Sequence, residues 1–95
     1  MNVSLREQRP LRRPEVWLRQ AGDENVLYDP ATGEVHLVNE TALAIWQLCD
    51  GETRVEEMIE AVCELCSLPR EIVVEDVARI LDEFGRAGLL TWAIE

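Results

Sequence analysis

The chain predicts a small α+β fold in which a three-stranded antiparallel sheet is followed by three helices. Residues 15–38 hold three short, β-rich runs separated by tight polar turns. From residue 39 onward the apolar residues recur at helical spacing, punctuated by Gly51, Pro69 and Gly88. Strands come first and helices after, and such grouping favours α+β over an alternating α/β sheet.

The first strand is expected over Glu15–Gln20, and Ala21-Gly22-Asp23-Glu24 reads as a polar turn. Asn25–Asp29 is the second strand, and Pro30-Ala31-Thr32-Gly33 places Pro and Gly where a four-residue reversal wants them. Glu34–Val38 is the third. Connections this short favour antiparallel neighbours and hence a meander.

Asn39 stands where the N-cap of the first helix belongs, with Glu40 beside the positive helix end. From Ala42 to Cys49 only Gln47 is polar, which marks a buried helix, and Gly51 supplies its left-handed stop. Thr53 and Glu56 have the spacing of a capping box. The helix they open carries Val55, Met58, Ile59, Val62, Leu65 and Cys66 on one stripe, and Pro69 disfavours a helical Leu68 and so ends it. A third helix is expected from Arg70 to Arg86. Its apolar stripe is Val73, Val77, Ile80, Leu81 and Phe84; Glu75, Asp76, Arg79, Asp82, Glu83 and Arg86 mark the wet side. Leu89–Ile94 is expected to pack back as an extended tail. Three helices with a small antiparallel sheet make the composition winged helix-turn-helix-like.

At 95 residues, 47% hydrophobic and 29% charged, the chain reads as one folded domain. The domain is expected over 15–95, preceded by a flexible basic arm over 1–14, bracketed by Pro10 and Pro14. No apolar run reaches the roughly 20 residues needed to span a bilayer, and no signal-type apolar segment follows the N-terminus. A cytoplasmic location without membrane contact is therefore expected. The net charge is −10, unevenly placed. Residues 1–13 carry Arg6, Arg9, Arg12 and Arg13 against Glu7 alone, whereas the remainder has five arginines against eighteen acids. Such an acidic body repels a phosphate backbone and argues against a nucleic-acid partner. Self-association through the arm is left open.

Catalytic constellations are scarce. His36, the one histidine, has no nucleophile near it in sequence, and no phosphate-cradling glycine loop or His-Glu metal motif occurs. Cys63 and Cys66 form a CxxC inside a helical apolar pattern without a second pair, so they read as small hydrophobes rather than metal ligands. No catalytic residue, metal or cofactor is expected, and the chain reads as a binding module rather than an enzyme. The third strand suggests how it binds. Glu34–Val38 is apolar for an edge and carries no Lys or Pro to blunt it. Such an edge can accept an extended peptide as a fourth strand. The arm, the tail or a second copy are the alternative covers.

The sequence resembles the PqqD family of recognition elements for ribosomally made, modified peptides. The residues that carry the likeness are Leu37-Val38-Asn39-Glu40-Thr41-Ala42, Ile45-Trp46, Cys49-Asp50-Gly51, Val55–Ile59, Val74–Leu81 and Gly88-Leu89-Leu90. The likeness spans roughly Pro14 to Leu90, and Val38 stands where family members commonly have Leu. The resemblance implies three strands followed by three helices, with a precursor's leader peptide bound against the third strand in a cleft beside the third helix. It also implies presentation of the core peptide to a modifying enzyme, such as a radical SAM protein or a leader peptidase, in natural-product or cofactor biosynthesis. Carried onto this chain, peptide-binding positions would be Glu34, Val35, His36, Leu37 and Val38, with Val73, Asp76, Val77, Arg79 and Ile80 from the third helix. Strand alternation leaves open whether Val35 and Leu37 or His36 and Val38 face the cleft. The alternative function is a winged-helix DNA-binding regulator, which the acidic third helix disfavours.

Overall fold

In the computed structural model, which describes residues 5–93, two small sheets enclose a core of three helices. After a 3-10 turn at Leu5–Glu7 come β1 (Arg9–Arg12), β2 (Trp17–Ala21), β3 (Glu24–Asp29) and β4 (Glu34–Val38). Three helices follow, α1 (Glu40–Leu48), α2 (Val55–Cys66) and α3 (Arg70–Arg86), and β5 (Leu90–Ala93) ends the described chain. The expected meander is present: β2, β3 and β4 pair antiparallel in that order, with Leu27 opposite both Leu18 and His36. The first strand begins two residues later than expected. The Val16 N–H donates to the Arg13 carbonyl at 3.1 Å, a turn that absorbs Glu15 and buries Val16 before the strand starts.

The expectation of a flexible arm does not hold from Leu5 onward. β1 pairs antiparallel with β5, Arg9 opposite Ala93 and Arg12 opposite Leu90, in a separate two-stranded ribbon. Its other side is also engaged: the Gly51 N–H donates to the Pro10 carbonyl at 3.0 Å, and the Arg12 N–H donates to the Cys49 carbonyl at 2.8 Å. Pro10, with no N–H to offer, is fully buried at this junction. The expected extended tail is thus β5; its last expected residue, Ile94, lies outside the described residues, as do residues 1–4 of the arm.

The arm's arginines have a structural use that follows from helix electrostatics. Carbonyls at the end of a helix lack intrahelical partners and carry partial negative charge. α1 has no basic residue in its last turn, and Arg12 reaches across from β1 to donate to the Gln47 and Cys49 carbonyls at 3.0 and 3.2 Å. Arg13 does the same past the end of α3, donating to the Gly88 carbonyl at 2.8 Å. Its guanidinium also lies 3.5 Å from the carboxylate of Asp29, the buried charged residue of the sheet.

Asn39 caps α1 as expected, its side-chain oxygen accepting from the Ala42 N–H at 2.8 Å. Gly51 is left-handed at φ +80°, with Leu11 packed 3.2 Å from where a Cβ would sit. The cap of α2 falls at Arg54 rather than Thr53. Asp50 captures Thr53, accepting from its N–H at 2.8 Å and its hydroxyl at 3.0 Å, so the carboxylate that accepts from the N-cap N–H is that of Glu57, at 2.8 Å from Arg54 N. α2 then ends at Ser67, held left-handed at φ 55°.

The helices pack their apolar stripes together and against one side of the larger sheet. Ile45 and Trp46 of α1, Met58, Ile59 and Val62 of α2, and Val73, Val77 and Leu81 of α3 form the interior, which Leu27 and Val38 enter from the sheet. Trp46 meets Phe84 edge to face at 5.7 Å between ring centres.

Candidate functional site

β4 is an edge strand, because β3 pairs with it on one side and the order β2-β3-β4 ends there. Its free backbone groups are those a further strand would need. Burial separates the two faces of the strand. Val38 is buried and His36 half-buried on the helix side, whereas Val35 and Leu37 are 60% and 67% exposed on the other. The His36 Nε2 lies 3.3 Å from a Glu34 carboxylate oxygen, outside hydrogen-bonding geometry.

At the C-terminal end of β4 a hollow of about 140 Å³ opens between the strand and α3. Leu37 and Val38 form one wall, Arg79, Ile80, Glu83 and Phe84 the other, and Asn39 and Ala42 the end. It shares Leu37, Val38 and Asn39 with a wider, polar depression edged by Asp23, Glu24 and Glu40. The chemistry on offer is an open backbone edge, a lining that exposes more polar than apolar surface over Ile80 and Phe84, and a cation held between acids. Arg79 lies 3.6 Å from Asp76 and 3.4 Å from Glu83, ion pairs that are exposed and easily exchanged for others.

Of the ten residues expected from the sequence, Leu37, Val38, Arg79 and Ile80 meet at this hollow. Glu34, Val35 and His36 continue the same edge, and Asp76 sits one helical turn back from Arg79. Val73 and Val77 require a correction: both are fully buried, so they anchor α3 to the core and present no surface to a ligand. Glu83 and Phe84 were missed. They follow Arg79 and Ile80 by four residues, and helical spacing carried one turn further would have found them.

Among the described residues no cluster of His, Cys, Asp and Glu is arranged to hold a metal ion. Cys63 and Cys66 are half-buried against the core, and burial pushes the Cys49 thiol up to about 12, against a smaller opposing pull from Arg12. No helix among the described residues is long and apolar enough to cross a membrane.

Fold and site together define a small α+β domain with an open strand edge flanked by a helix. The chain belongs to the PqqD family, coenzyme PQQ synthesis protein D, whose pattern matches residues 24–90. It is similar to the PqqA binding protein of Bradyrhizobium diazoefficiens, with 33% identity over 57 residues, 60% of this chain and 55% of that one. The chain thus spans about half the length of that relative. Among solved structures it is similar to TbiB1 in complex with the TbiA(beta) leader peptide, at a TM-score of 0.73 and 28% identity over 84% of this chain and 93% of that one. Lasso peptide synthetase B1 complexed with the leader peptide shares the fold, at a TM-score of 0.69 and 24% identity over 87% of this chain and 98% of that one.

Proposed function

We propose that this chain binds the leader region of a ribosomally synthesised precursor peptide as a strand added to β4 beside α3. The observation that carries the reading is the unpaired, unblunted edge of β4 next to the hollow at Arg79, Ile80 and Phe84. The family supports it, as do a relative named for binding PqqA and a similar structure solved with a leader peptide. The role is non-catalytic. A captured leader raises the effective concentration of the attached core peptide at a modifying enzyme, of the radical SAM or leader-peptidase kind. Each backbone hydrogen bond contributes only about 1 kcal/mol net, and ordering a flexible leader costs free energy, so side-chain anchors must supply the selectivity. The recognition unit is a single domain, working in the cytoplasm where precursor peptides are translated. The DNA-binding alternative gains nothing from α3, which carries five acids against three arginines.

The test is to titrate the isotope-labelled chain with a synthetic leader of a small peptide encoded beside its gene. Amide shifts are expected along Glu34–Val38 and at Arg79, Ile80 and Glu83. Unchanged spectra at near-millimolar peptide would overturn the reading for that peptide.

A further inference from the structure

The sheet face turned away from the helices is apolar and, among the described residues, uncovered. Trp17, Tyr28 and Val35 stand directly opposite one another across the three strands, and Arg19, Val26 and Leu37 form the next row. Trp17 is 49% exposed, and Val35 and Leu37 more so. The floor is already ordered: Trp17 meets Tyr28 edge to face at 6.0 Å, and the Arg19 guanidinium stacks 5.2 Å from the Trp17 ring centre. A groove of about 450 Å³ runs between these side chains and ends at Val35.

We propose that Val35 and Leu37, backed by Tyr28 and Val26, form a second selectivity surface that contacts alternate side chains of the peptide strand added to β4. The ligand it fits is a peptide with large apolar or aromatic residues on both faces of its strand. This rests on the strand-addition reading above.

The reason lies in the pleat. A strand hydrogen-bonded to β4 lies about 4.8 Å away and sends successive side chains to opposite faces of the sheet. One set enters the hollow at Ile80 and Phe84. The other set necessarily stands beside Val35 and Leu37, where directly opposite Cβ atoms come within about 5 Å. A peptide apolar at every second position satisfies one face and leaves the other pair in water. Apolar residues at consecutive positions cover both. Tyr28 and Val26 lie one strand further in, within reach of an aromatic side chain leaning across β4. A second copy of this chain is a poorer occupant. Each copy carries a net charge of −10, so two copies repel one another.

The experiment selects a random 12-residue display library on the immobilised full chain, with the Val35→Thr/Leu37→Ser double variant in parallel. Both positions are exposed, and tryptophan fluorescence verifies that the variant is folded. Selected peptides that shift β4 amides, carry apolar residues at consecutive positions and bind the variant about tenfold more weakly support the inference. Peptides that shift β4 amides but are apolar only at alternate positions, and bind the variant equally well, overturn it while leaving strand addition intact. A library yielding no peptide that shifts β4 amides overturns both. Sedimentation of the free chain completes the test: a dimer abolished by the double variant assigns the face to a second copy and overturns the inference.

Discussion

Replacing Arg13 by Ala is expected to destabilise the fold by about 2–4 kcal/mol, although the residue lies in the segment that reads from sequence as a free arm. Two losses make up that figure. The Arg13 guanidinium donates to the Gly88 carbonyl at 2.8 Å, and a charged hydrogen bond of this kind contributes about 1.5–3 kcal/mol. It also lies 3.5 Å from the carboxylate of Asp29, whose side chain is 1% exposed. Removing one partner of a buried pair costs about 3–5 kcal/mol, because the remaining charge is left in a poor medium. Here the arginine side is 29% exposed, so water replaces much of the ion pair and cuts its share to about 0.5–1 kcal/mol, which with the hydrogen bond gives about 2–4 kcal/mol. Against a total stability of about 5–14 kcal/mol for a chain of this length, the loss is large. It corresponds to a fall in Tm of roughly 10–25 °C. Urea unfolding followed by circular dichroism at neutral pH measures it directly. Asp29→Asn in the same background separates the two causes: if the ion pair matters, the double variant is more stable than the sum of the single losses predicts. A loss below about 0.5 kcal/mol, the range of ordinary surface substitutions, would show that the arm is indeed loose and the clamp irrelevant.

Four further outcomes follow from local geometry. Ser67→Gly should stabilise the fold by about 0.5–1 kcal/mol, because a non-glycine residue ends α2 in the left-handed region; an unchanged urea midpoint would count against strain there. Asp50 is held below its ordinary carboxylate value, first by the Glu52 N–H and then by Thr53, so its contribution is present above the unfolded pKa and lost as pH falls through the lower folded one. Asp50→Asn should therefore flatten the acid limb of the stability curve below about pH 4, and parallel acid limbs would refute this. Arg79→Ala should leave stability within about 0.5 kcal/mol, since its ion pairs are exposed, whereas Val77→Glu should unfold the chain, since Val77 is wholly buried. A folded Val77→Glu variant would reverse the correction that makes Val77 core.

The boundaries of β4 and α3 were legible because their signals are local: a β-rich run ended by an N-cap Asn, and a long stripe closed by glycine. The same holds for Asn39 and Gly51. The cap of α2 was misplaced by one residue because two carboxylates compete for the loop, and Asp50, three residues back, wins Thr53. β1 was missed for a different reason. Arg9-Pro10-Leu11-Arg12 has no strand-like alternation, and its partners lie at Leu90–Ala93 and at Asp50, far away in sequence. Of the candidate site, the strand Glu34–Val38 was legible from its own residues, whereas its position at the sheet edge comes from the strand order. The helix half was not. Val73, Val77 and Ile80 share one apolar stripe, and only packing decides that the first two go inward while Ile80 reaches the hollow.

The acidic balance of the chain is best understood from that open edge. A flat, apolar edge strand invites pairing with other copies, and β4 carries neither a Lys, a Pro nor a bulge to prevent it. The charge around it is mainly acidic: Glu34 begins the strand, Glu40 follows it, and Asp23 and Glu24 edge the depression beside it, while Arg79 at the hollow is itself paired with Asp76 and Glu83. Two copies meeting edge to edge would bring these carboxylates together, on molecules each carrying a net charge of −10. Repulsion between copies would therefore disfavour edge-to-edge pairing without occupying the hydrogen-bonding groups of the edge. On the proposed reading, a peptide with fewer acids would feel that repulsion far less, so the same charge would favour it over a second copy. Screening should weaken this protection, because the Debye length falls from about 10 Å at 0.1 M to about 3 Å at 1 M salt. Self-association measured by sedimentation should therefore rise with sodium chloride and fall again in a Leu37→Lys variant. A chain that stays monomeric at high salt would show that geometry, rather than charge, keeps the edge open.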